Sequence, residues 1–155
     1  MHERRHLPRL RRIWLKDPVC FLTICAADRR QILHRPGVAC VLIQALYDAP
    51  RVHGWKVGRF VIMPDHVHFF CLAVSDGKDL AAFVRDWKRW TARKIAETTL
   101  ISSPIWQREF FDHVLRSSGS YAAKWNYVRE NPVRAGLVAD ADDWPHQGEC
   151  AALML

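Results

Sequence analysis

At 155 residues, half of them hydrophobic, the chain is long enough to bury one core without disulfide staples, so a single compact domain is expected. The five cysteines, Cys20, Cys25, Cys40, Cys71 and Cys150, are odd in number and form no C-x-x-C pair, which argues against a disulfide framework or a cysteine zinc site and for a reducing cytoplasm. No stretch approaches the roughly 20 apolar residues of a membrane span, and the net charge of +7 favours a polyanionic partner.

Residues 1–16 carry Arg4, Arg5, Arg9, Arg11, Arg12 and Lys16 against one acid, Glu3, and read as a basic arm, whether phosphate-binding or merely solvated. Val19 to Ala26 is rich in strand formers and is followed by the polar turn Asp28-Arg29-Arg30. Beyond Pro36-Gly37, the residues Val38, Val41, Leu42, Ala45 and Leu46 recur at helical spacing and predict an amphipathic helix closing near Pro50. Two apolar runs, Trp55 to Met63 and His66 to Val74, are parted only by Pro64-Asp65 and predict a tightly connected strand pair.

From Lys78 to Glu97 the spacing is helical again, with Leu80, Phe83, Val84, Trp87 and Thr91 on one side and Arg85, Arg89 and Arg93 aligned on another as a positive stripe. Aromatic and β-branched residues over Ile105 to Leu115 suit a fourth strand, and Ser117 to Ser120 can cap a last helix running from about Tyr121 to Asn131. The chain from Ala139 is weakly patterned. These readings divide the sequence into the arm, a catalytic domain over 17–146 and a tail over 147–155. The element order matches an α+β, ferredoxin-like split βαβ fold with an antiparallel sheet and an additional C-terminal helix.

His66 and His68 stand two apart in an apolar strand, so both imidazoles face one way while Val67 faces the helices, leaving half a metal site on the other face of the sheet. Tyr127 and Asn131, four apart before Pro132, offer a hydroxyl and an amide oxygen on one helix face. Two neutral imidazoles and an amide oxygen leave open positions on a divalent ion for phosphate oxygens, and the tyrosine supplies a nucleophile. Each residue alone has a plainer reading in packing or capping; their conjunction points to metal-assisted cutting of DNA. Trp87, Trp90 and Trp106 lie in or near basic stretches where bases could stack, although tryptophans in a domain of this size mostly fill the core.

The chain resembles the REP-associated tyrosine transposases, relatives of the single-tyrosine insertion-sequence transposases. The likeness spans about Val19 to Trp144. It rests on Thr23 and Arg29, on Met63-Pro64-Asp65-His66-Val67-His68, on Trp106-Gln107 with Phe110, His113 and Arg116, and on Tyr127 followed by Asn131-Pro132-Val133-Arg134-Ala135-Gly136-Leu137-Val138. The resemblance implies that His66, His68 and Asn131 bind a divalent metal such as Mg or Mn. It makes Tyr127 the nucleophile that becomes joined to a 5′-phosphate, leaving a 3′-hydroxyl. It further implies action on single-stranded DNA beside hairpin-forming repeats, held through the arm and the Arg85-Arg89-Arg93 face, by a cytoplasmic, nucleoid-associated monomer or homodimer. Tyr121, six residues before Tyr127, falls about 120° away on an ideal helix and should not share the site. Two rival readings remain open at this level: a non-catalytic nucleic-acid-binding module on the same fold, and a metal-dependent hydrolase that activates water.

Overall fold

The computed structural model describes residues 18–74 and 78–153. The basic arm, with Arg4, Arg5, Arg9, Arg11 and Arg12, lies outside the described residues. The elements in chain order are β1 (Val19–Cys25), α1 (Pro36–His53), β2 (Trp55–Ile62), β3 (His66–Ala73), α2 (Leu80–Thr98), β4 (Phe111–Leu115), α3 (Ser118–Val128), α4 (Asn131–Arg134) and β5 (Gln147–Glu149). The strands form one sheet in the order β4-β1-β3-β2-β5, antiparallel at every junction. The first four strands keep the order expected of a split βαβ fold.

Strand alternation divides this sheet into two working faces. Cys20, Leu22 and Ile24 of β1, Val67, Phe69 and Cys71 of β3, and Trp55 and Val57 of β2 pack against α1 and α2 in the main core. On α1 that packing uses Val38, Leu42, Ala45, Leu46 and Ala49, one stripe of the helix. The helix does not close at Pro50. It runs to His53 and ends on Gly54 at φ 75°, because a proline removes only its own N–H from the ladder and the turn after it can continue to a left-handed glycine cap. On α2, Asp79 caps the first turn by accepting from the Ala82 amide, and Leu80, Phe83, Val84, Trp87, Thr91 and Ile95 are buried. Trp87 is fully buried in the core and Trp106 nearly so, which removes both as base-stacking surfaces.

The opposite face of the sheet is roofed by α3. Val19, Phe21, Val61, Met63, Phe70 and Leu115 form a second cluster with Trp125 and Val128 of that helix and with Trp144. Ser117 and Ser120 make a reciprocal capping box that starts α3. Tyr121 then docks flat on Phe70, with ring centroids 4.3 Å apart, and its hydroxyl accepts from the Arg59 amide at 3.3 Å. Gly58 permits this approach, since a Cβ there would stand 2.7 Å from that hydroxyl. Tyr121 is thus a packing residue, as its angular offset from Tyr127 suggests.

Three further expectations change. The fourth strand is half as long as expected, because 105–110 is a loop joined to the sheet edge by one bridge, Ala26 to Trp106. Its carbonyls go elsewhere: Lys88 Nζ donates to the carbonyls of Gln107, Arg108 and Glu109 at 2.8, 3.1 and 2.9 Å. Ile105 and Trp106 satisfy their hydrophobicity by packing on the core from that loop, with Trp106 Nε1 donating to Thr91 Oγ1 at 2.9 Å. The last helix is two helices, broken at Arg129-Glu130. Finally, the weakly patterned end supplies a fifth strand, Gln147–Glu149, which pairs with β2 while Trp144 Nε1 donates to the Ile62 carbonyl at 3.0 Å.

Candidate active site

The register β1 to β3 sets Thr23 opposite His68 and Cys25 opposite His66, so these four side chains share the face that α3 partly covers. The two imidazoles meet edge to face with centroids 4.6 Å apart, and Phe21 stacks on His68 at 5.0 Å. Each ring is fixed through Nδ1. His68 Nδ1 lies 2.9 Å from Thr23 Oγ1, and His66 Nδ1 lies 2.8 Å from Asp65 Oδ1. A ring held at Nδ1 offers Nε2 to a metal, and the carboxylate–histidine pair is a common way to orient a metal ligand.

Asp65 is held in turn by Arg29 Nε at 2.9 Å. Burial alone would raise the Asp65 carboxyl, but the hydrogen bonds from His66 and Arg29 outweigh it and hold the group below its ordinary range, ionised at neutral pH. Arg29 and its neighbour Asp28 both take left-handed backbone, φ 51° and 54°. That conformation costs about 1–2 kcal/mol per residue; Arg29 keeps in it its ion pair to Asp65, a contact from Nη1 to Cys25 Sγ and an amide bond to the Ala26 carbonyl. Burial first, then the charges of His66 and Lys124, push the His68 imidazole down to about 3. It is therefore neutral at neutral pH, the form that ligates a metal.

The second half of the site comes from the α3–α4 junction. Tyr127 sits in the last turn of α3 with its side chain 58% exposed, and Asn131 opens α4. They do not lie on one continuous helix as the spacing predicts, because Arg129 and Glu130 form an intervening turn. Proline at the start of α4, rather than at the end of α3, fits the first-turn tolerance for a missing N–H. Arg134 joins the pair: its Nη2 donates to the Tyr127 carbonyl at 2.7 Å and to Asn131 Oδ1, and its guanidinium carbon stands 4.0 Å from the Tyr127 ring centroid. The charges of Arg134 and Lys124 both act on His68, which ties the two halves electrostatically. Lys124 also lies over the Phe21 ring at 4.5 Å.

Among the described residues no cluster of three His, Cys, Asp or Glu side chains forms a metal site. The candidate donors on this side of the sheet are the ring nitrogens of His66 and of the neutral His68, while the Asn131 amide oxygen at the α3–α4 junction accepts from Arg134. The stripe Arg85, Arg89 and Arg93 is exposed on α2, in the layer on the far side of the sheet from the histidines. Arg85 and Arg89 border a groove of about 410 Å³ with Lys88, Trp106, Arg108 and Phe110. His113, opposite Phe21 in the register, shares the histidine face. The sequence carried a sign of Asp65, an acid immediately before the first histidine in a tight turn, and of Arg134, three residues after Asn131; neither position predicts which partner the side chain takes.

The family described as "Transposase IS200 like" matches residues 20–131. A REP-associated tyrosine transposase of Escherichia coli K12 is 25% identical over 135 residues, covering 87% of this chain and 78% of that protein. A solved structure of a REP-associated tyrosine transposase bound to a REP hairpin superposes with a TM-score of 0.74 at 24% identity, covering 95% of this chain and 82% of that one. A candidate transposase of Deinococcus radiodurans R1 superposes at 0.57 with 21% identity, covering 76% of this chain and 93% of its own. The same α+β sheet with its crossing helices underlies these likenesses, and the matched segment takes in both histidines, Tyr127 and Asn131. The chain belongs to the IS200-like transposase family.

Proposed function

We propose that this protein cleaves and rejoins single-stranded DNA beside hairpin-forming repeats, with Tyr127 as the nucleophile and a 5′-phosphotyrosine as the intermediate. The observation that carries the reading is the pairing of two imidazoles, each oriented through Nδ1, with an exposed tyrosine beside an amide oxygen. A REP hairpin is bound in the solved structure of a REP-associated tyrosine transposase, and that likeness supports reading hairpin DNA as the substrate here.

In this mechanism the Tyr127 hydroxyl oxygen bonds to phosphorus as the bond from phosphorus to the 3′-oxygen breaks. The phenol gives up its proton and the leaving 3′-oxygen takes one, so a phosphodiester is exchanged for a phosphotyrosine with no net hydrolysis. A 3′-hydroxyl attacking in reverse restores the phosphodiester without ATP. His66, His68 and Asn131 would hold a divalent ion, Mg or Mn, which when bound polarises the phosphate toward attack. Thr23, and Asp65 held by Arg29, fix the two rings through Nδ1 and would leave Nε2 for that ion. The exposed arginines, Arg85, Arg89 and Arg93, hold DNA by phosphates and set position rather than sequence.

The test is incubation of the protein with labelled hairpin oligonucleotides and Mn, followed by denaturing electrophoresis. A covalent adduct is expected, lost in Tyr127→Phe with hairpin binding retained, and kept in Tyr121→Phe. An adduct that survives Tyr127→Phe overturns the assignment. Cleavage without any adduct points instead to activated water, and binding without cleavage to a non-catalytic module.

A further inference from the structure

We propose that Arg134 is a catalytic residue of strand cleavage, the cation that receives the scissile phosphate beside Tyr127; this rests on the reading of Tyr127 as nucleophile. Five arginines of the described residues pair with carboxylates, while Arg30 and Arg134 are held by neutral acceptors, and of these two Arg134 is the one set against Tyr127. Arg29 pairs with Asp65, Arg51 with Asp48, Arg59 with Glu149, Arg85 with Asp86, and Arg129 with Glu130 and Asp142. Arg134 has no carboxylate among the described residues. Its partners are a ring face, a main-chain carbonyl and a side-chain amide, all neutral. A guanidinium so held keeps its full charge for an anion that arrives from outside.

The geometry also says which donors are left. Both anchoring hydrogen bonds use Nη2. A guanidinium has five N–H donors, so with the two on Nη2 engaged, one on Nε and two on Nη1 remain, and no described residue accepts from them. Arg134 is exposed and its guanidinium lies on the ring whose hydroxyl would attack. The free donors, on a group that carries a full positive charge, can meet phosphate oxygens. The backbone behind it is fixed, because α4 ends on Gly136 at φ 74°, with the Gly136 amide bonded to the Val133 carbonyl and the Leu137 amide to the Pro132 carbonyl.

As Tyr127 attacks, negative charge gathers on the non-bridging oxygens, and a cation already aimed at them stabilises that charge without reorganising. Lysine replaces it poorly: with two of its three N–H donors spent on the same anchors, an ammonium keeps one for the phosphate where the guanidinium keeps three. The residue therefore does two things at one place, holding the nucleophile's main chain through Nη2 and keeping its charge and remaining donors for the phosphate.

The experiment measures single-turnover adduct formation with Mn on two hairpin oligonucleotides, one with an ordinary scissile phosphodiester and one with a neutral methylphosphonate there. Arg134→Ala and Arg134→Lys are expected to slow the ordinary substrate by about 10²–10³-fold, the usual loss for one oxyanion donor. On the methylphosphonate, which has no charge to neutralise, the defect should shrink at least about tenfold. The ratio of the two substrates within one variant cancels differences in folded fraction or metal occupancy, and a separate Mn titration shows whether loss of the Asn131 anchor changes metal affinity. An equal defect on both substrates, or none on either, overturns the role of Arg134 while leaving the tyrosine reading intact. A wild-type protein that forms no adduct on ordinary DNA overturns both.

Discussion

Replacing Asp65 with alanine separates the orientation of His66 from everything else in the site. The carboxylate accepts from His66 Nδ1 at 2.8 Å and from Arg29 Nε at 2.9 Å, and the side chains of His66 and Asp65 are only 17% and 23% exposed. A hydrogen bond to a charged group contributes about 1.5–3 kcal/mol. The Arg29 share falls below about 1 kcal/mol because that side chain is 55% exposed and screened. The metal-free Asp65→Ala protein is therefore expected to lose about 2 kcal/mol of stability by urea unfolding. Affinity for Mn, measured by calorimetric titration, should fall by about 10–100-fold, the usual cost of removing the partner that orients a ligating histidine. Asp65→Asn keeps an acceptor but not the charge and should fall between. The backbone of the turn is not at issue, since the Asp65 carbonyl still accepts from the Ala26 amide. An alanine variant that is destabilised yet binds Mn with undiminished affinity would refute the orienting role and leave Asp65 as a turn residue.

Acid should weaken the metal-free fold through His68. Its imidazole is pushed down to about 3 in the folded chain against 6.5 ordinarily, so between those values the unfolded chain binds a proton that the folded one does not, and stability falls as pH falls across that window. One such group gives a slope of at most about 1.4 kcal/mol per pH unit. His68→Phe, which can keep the stack on Phe21, should flatten urea midpoints between pH 6.5 and 4.5; an unchanged slope would show that another group carries the titration. On the far layer, changing Arg85, Arg89 and Arg93 together to Gln should weaken hairpin binding and make the log–log salt dependence shallower by about 2. The same slope in wild type and variant would place the DNA elsewhere.

The parts of the fold that alternate or repeat at helical spacing were legible in the sequence: β1, α1, the β2–β3 pair and α2 all fall where hydrophobic periodicity puts them. The failures share a cause, which is that local composition was answered by a partner far along the chain. Ile105 and Trp106 look like strand because they are apolar, yet Lys88 takes the carbonyls of the loop that follows. Gln147–Glu149 has no strand pattern at all, and its pairing is supplied by β2. In the site, the spacing of His66 and His68 gave their common face outright, since period two leaves no choice. The spacing of Tyr127 and Asn131 was misleading in detail, because the turn at Arg129-Glu130 replaces the continuous helix that a four-residue interval implies. Thr23, Asp65 and Arg134 act through hydrogen bonds whose partners lie 45, 1 and 3 or 7 residues away; only the near ones leave any trace in local sequence.

The two-faced ribbon formed by β1 and β3 has an evolutionary consequence. Leu22, Ile24, Val67 and Phe69 secure the domain from one side, while Phe21, Thr23, His66 and His68 line the candidate site on the other. Substitutions can therefore explore new ion or nucleotide preferences on one side without eroding the scaffold on the other. Insertions have no such freedom: one added residue in either strand would exchange the two sides beyond it, placing imidazoles in the apolar interior and aliphatic groups at the candidate site. Lineages descending from this architecture should diversify by replacement within these strands and by length change only in the segments between them.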